Sequence, residues 1–152
     1  MIITLDKIFE WADLIAKMLG ITVVIHEQGY IKSAQGMPVW MDYDPATKQI
    51  RIWAEQLIHD MQNVVSQNPT IDEEKCVKVI KKLINHEKRH SDQHQWLIMV
   101  FGEEKGTRMF LDFYNKNHYA HNPLEIDARK AEKNHCLPIG QAMILVLGKE
   151  SK

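Results

Sequence analysis

Five consecutive residues hold the first chemistry legible in the chain: His86-Glu87-Lys88-Arg89-His90, an H-E-x-x-H pattern. On a helix, residues four apart stand about one turn apart on one face, so both imidazoles can reach a single divalent ion. Neutral imidazole suits zinc, and a catalytic zinc site uses three protein ligands and keeps a fourth position for water. Glu87 then projects beside the ion, where its carboxylate can take a proton from a water whose pKa the metal lowers to about 7. Chance produces this pattern roughly 0.03 times in a chain with this His and Glu content. The competing reading is a pair of exposed helical histidines set among Lys and Arg.

The chemistry requires a helix at this place, and the flanking sequence supplies one. Asn68-Pro69-Thr70 breaks the chain, Thr70 with Glu73 forms a capping box, and no Gly or Pro interrupts Ile71 to about Val100. Cys76, Val79, Ile80, Leu83 and Ile84 form an apolar stripe, with Val79 and Leu83 leading into the His86/His90 face. Gly102 and Gly106 end the helix, and a further helix is expected over Thr107 to Lys116. A third ligand must come from elsewhere. His94 is a further turn along, and about 12 Å separates it from His86 on a straight helix. Glu125, His118, His121 and His135 are the candidates. Glu125 opens a helix that Asn122-Pro123 initiates and that Pro138 and Gly140 close. By itself it also reads as an ordinary N3 carboxylate completing a cap and facing the helix dipole.

The remaining elements predict an α+β fold in a single domain over residues 1–152. Leu5 to Leu19 is apolar at helical spacing between the N-cap Thr4 and the stop Gly20. Ile21 to Ile25 reads as a buried strand, Gln28 to Gly36 as irregular, and Val39 to Tyr43 and Gln49 to Trp53 as strands joined by an Asp44-Pro45 turn. A short helix covers Glu55 to Val65, while Ala142 to Leu147 fits a strand or a helix equally. With 152 residues the chain can form a core without a metal or disulfide. A formal charge of −1 argues against a general nucleic-acid binder. The longest apolar runs, Trp96 to Phe101 and Ala142 to Leu147, are too short to span a bilayer. Asp6, Lys7 and Glu10 break the apolar stretch a signal peptide needs, and two cysteines, Cys76 and Cys136, fit a reduced cytoplasmic protein. His26 and His59 read as structural or exposed. Arg89 and Gln93 could contact a neighbouring carboxylate or loop, but they read first as part of a solvated helix face.

His86-Glu87-x-x-His90 followed by Glu125-x-x-Ala128 resembles the zincin metallopeptidases of the gluzincin type. The closest likeness is to the small, minimal gluzincins of bacteria and phages, in which HExRHxxQ and NPxExDA segments recur. Here they read His86-Glu87-Lys88-Arg89-His90-Ser91-Asp92-Gln93 and Asn122-Pro123-Leu124-Glu125-Ile126-Asp127-Ala128. The resemblance covers roughly Gln49 to Glu132. It implies a zincin-like fold, Zn²⁺ held by His86, His90 and Glu125, Glu87 as general base, and a peptide or protein substrate. Many gluzincins place Asp or Asn four residues after the glutamate to orient a ligand histidine. Arg129 stands there in this chain, leaving Asp127 or Asp92 as candidates for that task. The family also implies a sheet edge that pairs with an extended substrate. Gln49 to Trp53 is the candidate edge, and it reads equally as the second strand of a hairpin. Tyr119, His118 and His121, which precede the Glu125 helix, are candidates to stabilise an oxyanion, with Tyr119 foremost.

The chain is therefore expected to be a zinc metallopeptidase, a hydrolase acting through a metal-activated water. Hydrolysis of a non-peptide amide would use the same chemistry. The alternative is a non-catalytic protein of zincin descent that binds a partner, with or without metal.

Overall fold

A computed structural model describes residues 1–33, 36–116 and 121–150, with side chains to 148. The secondary structure is α+β, and the chain forms two compact units, Met1–Ile84 and Asn85–Lys152.

In the first unit, helix α1 (Leu5–Leu19) has the predicted limits. The Thr4 hydroxyl accepts from the Lys7 N–H at 3.2 Å, and Gly20 closes the helix at φ 67, the left-handed geometry glycine adopts without a Cβ penalty. Ile8, Trp11, Ala12, Ile15 and Ala16 are buried. Strand β1 (Val23–His26) is half-buried along its length, in place of the fully buried run that its β-branched residues suggest. A two-residue ladder, β2 (Ile31–Lys32) with β3 (Pro38–Val39), lies within the segment expected to be irregular and just beyond it. Such short strands leave no periodicity to detect. Strands β4 (Met41–Asp44) and β5 (Gln49–Trp53) form the expected hairpin. The Asp44 carboxylate organises its turn, accepting from the Ala46 N–H at 3.1 Å and the Thr47 hydroxyl at 2.9 Å.

β1 runs parallel to β5, so the sheet order is β1-β5-β4 and β5 is the central strand. This corrects the reading of Gln49 to Trp53 as a sheet edge. Both sides of β5 are already hydrogen-bonded, which leaves no row of backbone groups for a substrate strand. Met41, Tyr43, Ile50 and Ile52 are buried, and α1 and α2 (Ala54–Gln67) pack against strands of this sheet. The alternate residues are polar or aromatic. Arg51 pairs with Asp42 and Asp44, and the Trp53 indole N–H donates to Asp42 while His26 stacks on its ring at 4.4 Å. His26 is thus structural.

Helix α3 (Glu73–Phe101) has 29 residues, close to the predicted span. Its cap is Asp72, whose carboxylate accepts from the Lys75 N–H at 3.0 Å, in place of Thr70. Asp caps as well as Thr and sits directly before the first helical residue. Cys76, Ile80 and Ile84 are buried along the first part of α3, whereas Val79 is 44% exposed and does not extend the histidine face.

In the second unit, α3 continues to Gly102, at φ 90, and α4 (Glu103–Lys116) starts four residues before its expected position. Gly106, expected to help end α3, lies inside α4 instead, where a closely packed backbone requires glycine. A Cβ there would lie 2.7 Å from the Leu97 carbonyl and the Ile98 nitrogen. Helix α5 (Pro123–Glu132) is capped by Asn122, whose side chain accepts from the Leu124 N–H at 3.0 Å, with Pro123 in the first turn. It ends at Glu132, with Asn134 at positive φ, well before Pro138. Pro138 and Gly140 instead lie at the start of α6 (Ile139–Glu150), which resolves Ala142 to Leu147 as helix. Cys76 and Cys136 are free thiols, and no described helix is long and apolar enough to cross a membrane.

Candidate metal centre

All the groups of the centre belong to the second unit. α3 brings the His86 and His90 Nε2 atoms within 3.2 Å of each other, with the rings edge to face. Both rings are buried. α5 delivers the Glu125 carboxylate to the same point: Oε2 lies 2.8 Å from His86 Nε2, and Oε1 lies 2.8 Å from His90 Nε2. Glu125 occupies the third position of α5, where a carboxylate ordinarily faces its own helix end. Here it turns to the imidazoles and is 4% exposed. Burial pushes its carboxyl pKa up, but the neighbouring imidazoles outweigh that and hold it well below the usual carboxylate range.

The atoms facing one another need protons or a cation among them. Gln93, fully buried, donates its amide N–H groups to the Leu124 carbonyl at 3.0 Å and to Asp127 Oδ2 at 2.9 Å. Both partners only accept, so the Gln93 oxygen is the atom 2.9 Å from His90 Nδ1. His90 Nδ1 therefore carries a proton, and Nε2 is the nitrogen turned toward the Glu125 carboxylate. Two such nitrogens against a buried carboxylate repel unless protons or a metal lie among them. Donors held about 2.0–2.1 Å from one tetrahedral ion lie about 3.3 Å from each other. The His86–His90 separation of 3.2 Å is close to that spacing, and the two 2.8 Å separations to Glu125 are those of imidazole–carboxylate hydrogen bonds. His86, Glu87 and His90 also offer ligand atoms within 4.8 Å of one another. This group could hold a metal ion, and of the two carboxylates Glu125 is the one that touches both imidazoles.

Behind the donors lies a buried polar scaffold that the sequence did not reveal. Arg89 and Gln93 are buried, which corrects their reading as a solvated face. Arg89 clamps Asp127 through Nε at 2.6 Å and Nη2 at 3.1 Å, and Nη2 also donates to the Leu137 carbonyl at 2.7 Å. Burial works against the guanidinium charge, yet the Asp127 pair outweighs it and raises the Arg89 pKa. Asp127 in turn holds Gln93, and Gln93 holds His90. Of the two aspartates considered for this task, Asp127 reaches His90 through Gln93, whereas Asp92 pairs with Lys88 at 3.1 Å. Tyr114 of α4, missed in the sequence, places its hydroxyl 3.2 Å from Glu125 Oε1, to which it donates, and 3.0 Å from His90 Nδ1. Polar residues at helical spacing around His90, namely Arg89, Gln93 and His94, were the available signal. A stripe of that kind reads equally as a wet surface until its partners are known.

The other candidates fall away or lie elsewhere. His94 is fully buried, with Nε2 2.7 Å from the Thr107 hydroxyl, and is no part of the donor cluster. His121 and His135 are exposed. Tyr119 and His118 lie outside the described residues. No family model, curated protein or solved structure matches this chain.

Proposed function

We propose that this protein is a zinc-dependent metallopeptidase with a zincin-like fold of the gluzincin type. The observation that supports it best is the meeting of the His86 and His90 Nε2 atoms and the Glu125 carboxylate within 2.8 to 3.2 Å. Two imidazoles and one carboxylate are the donor set of a catalytic zinc rather than of a closed structural one. His86, His90 and Glu125 would hold the ion, which would supply a Lewis acid for a carbonyl oxygen and for a water. Glu87, half-buried beside the donors, takes the proton of the attacking water on its carboxylate and returns it to the departing amine nitrogen. Gln93 and Asp127 keep His90 in the tautomer that presents Nε2, and Arg89 fixes Asp127. The Tyr114 hydroxyl steadies the Glu125 oxygen nearest His90.

The test is Glu87→Gln, which keeps the side chain's size and removes its basicity. The zinc content should stay at that of the parent protein, while hydrolysis of a mixed peptide library falls by about 100-fold or more. Undiminished hydrolysis by the zinc-loaded variant would defeat the assignment.

A further inference from the structure

The two imidazoles of the donor cluster are held in different ways. His90 has its Nδ1 proton fixed by an amide oxygen at 2.9 Å. His86 Nδ1 is buried and makes no hydrogen bond among the described residues. It faces Glu132 Oε1 at 3.4 Å. Since His86 Nε2 lies 2.8 Å from Glu125, helix α5 offers a carboxylate to each nitrogen of one ring, from positions seven residues apart. Seven residues make about two turns, which returns Glu132 to the Glu125 face of the helix. Helical side chains lean toward the N-terminus, and glutamate is long enough to reach back from there. Arg129, one turn after Glu125, cannot accept a proton from an imidazole at all.

We propose that Glu132 is the positioning residue for His86, accepting its Nδ1 proton so that Nε2 keeps a lone pair for the metal. This rests on the metal-centre reading above. Glu132 is not itself a ligand, because the imidazole stands between it and the donor cluster. Its side chain is 28% exposed, so it can approach by the few tenths of an ångström that a hydrogen bond requires without repacking a core. A carboxylate also raises the basicity of the ring it orients, which tightens the bond at the other nitrogen.

The experiment measures Co²⁺ affinity by chelator competition in the full chain, for the parent protein, Glu132→Ala and Glu132→Gln. Glu132→Ala should bind cobalt about 10–100-fold more weakly. Glu132→Gln, whose amide oxygen still accepts, should recover most of that loss, and the metal-free melting temperatures of all three should agree. Parent-like affinity in Glu132→Ala overturns the proposal, as does an affinity loss that tracks a fall in metal-free stability. If the parent protein itself takes up no cobalt, the metal-centre reading falls first and this inference falls with it.

Discussion

The two compact units bury different chemistry, and α3 shows the contrast within one helix. Its first part buries Cys76, Ile80 and Ile84, and the unit Met1–Ile84 is built around these and Ile8, Trp11, Ile15, Ile52 and Leu57. From His86 onward the same helix buries His86, Arg89, His90, Gln93 and His94, with Asn122, Glu125 and Asp127 beyond it. Among the described residues, every buried charged, amide or imidazole side chain lies in the unit Asn85–Lys152. An apolar core gains stability from removing surface from water. A buried polar group costs several kcal/mol unless it is paired. The second unit meets that requirement by linking Arg89, Asp127, Gln93, His90, Glu125 and Tyr114 in one connected set. The first unit buries apolar side chains, whereas the second adds to an apolar core that includes Leu97, Phe110, Leu124 and Met143 a set of polar atoms held at particular places.

The largest effect should come from breaking the polar set. Asp127→Ala leaves the Arg89 guanidinium buried without its carboxylate and frees Gln93 to rotate. We expect a loss of about 3–5 kcal/mol in urea unfolding, together with weakened metal binding. A parent-like unfolding midpoint would show that this network is not the constraint described here. In the apolar unit, Ile52→Ala opens a cavity at a side chain with no exposed surface. The expected loss is about 3 kcal/mol, with the metal stoichiometry unchanged under native conditions. Loss of metal from folded Ile52→Ala protein would erase the distinction between the units.

The smallest effect is an alkaline one, confined to the apolar half of α3. Burial, followed by the nearby Asp72 and Glu73 carboxylates, raises the Cys76 thiol pKa above its ordinary 9.0. The folded state thus favours the neutral thiol. That contribution is complete below about pH 9 and is lost as pH rises through the higher folded value. Denaturation midpoints followed into the alkaline range should fall more steeply for the parent protein than for Cys76→Ala. Identical slopes would show that Cys76 ionises as freely in the folded chain as in the unfolded one.

Much of this arrangement was legible where the signals are local. Thr4 and Gly20 bound α1, Asn122-Pro123 opens α5, and the unbroken run after Pro69 gives α3, because caps and breakers act on neighbouring backbone. The His86/His90 pair was legible for the same reason, since four residues span one turn. Its support was not. Arg89 and Gln93 carry side chains that normally remain in water, and only the approach of Asp127 and the Leu124 carbonyl makes their burial tolerable. Tyr114 resembled any other aromatic of an amphipathic helix until α4 brought its hydroxyl to Glu125. The central place of β5 depended on a parallel partner, β1, more than twenty residues earlier in the chain.

The sequence by itself determined the helix that presents two imidazoles on one face and the capped turn that starts the Glu125 helix. These are consequences of helical periodicity and of hydrogen bonds made within a few residues. Only the tertiary structure decided which carboxylate meets both imidazoles, which amide fixes the His90 proton, and which strand is enclosed by its neighbours. Those choices rest on contacts between residues 27 to 39 positions apart, Gln93 itself being fixed by Leu124 and Asp127. Whether a polar side chain at such a distance is a partner or a solvated bystander depends on the folded chain excluding water from between them.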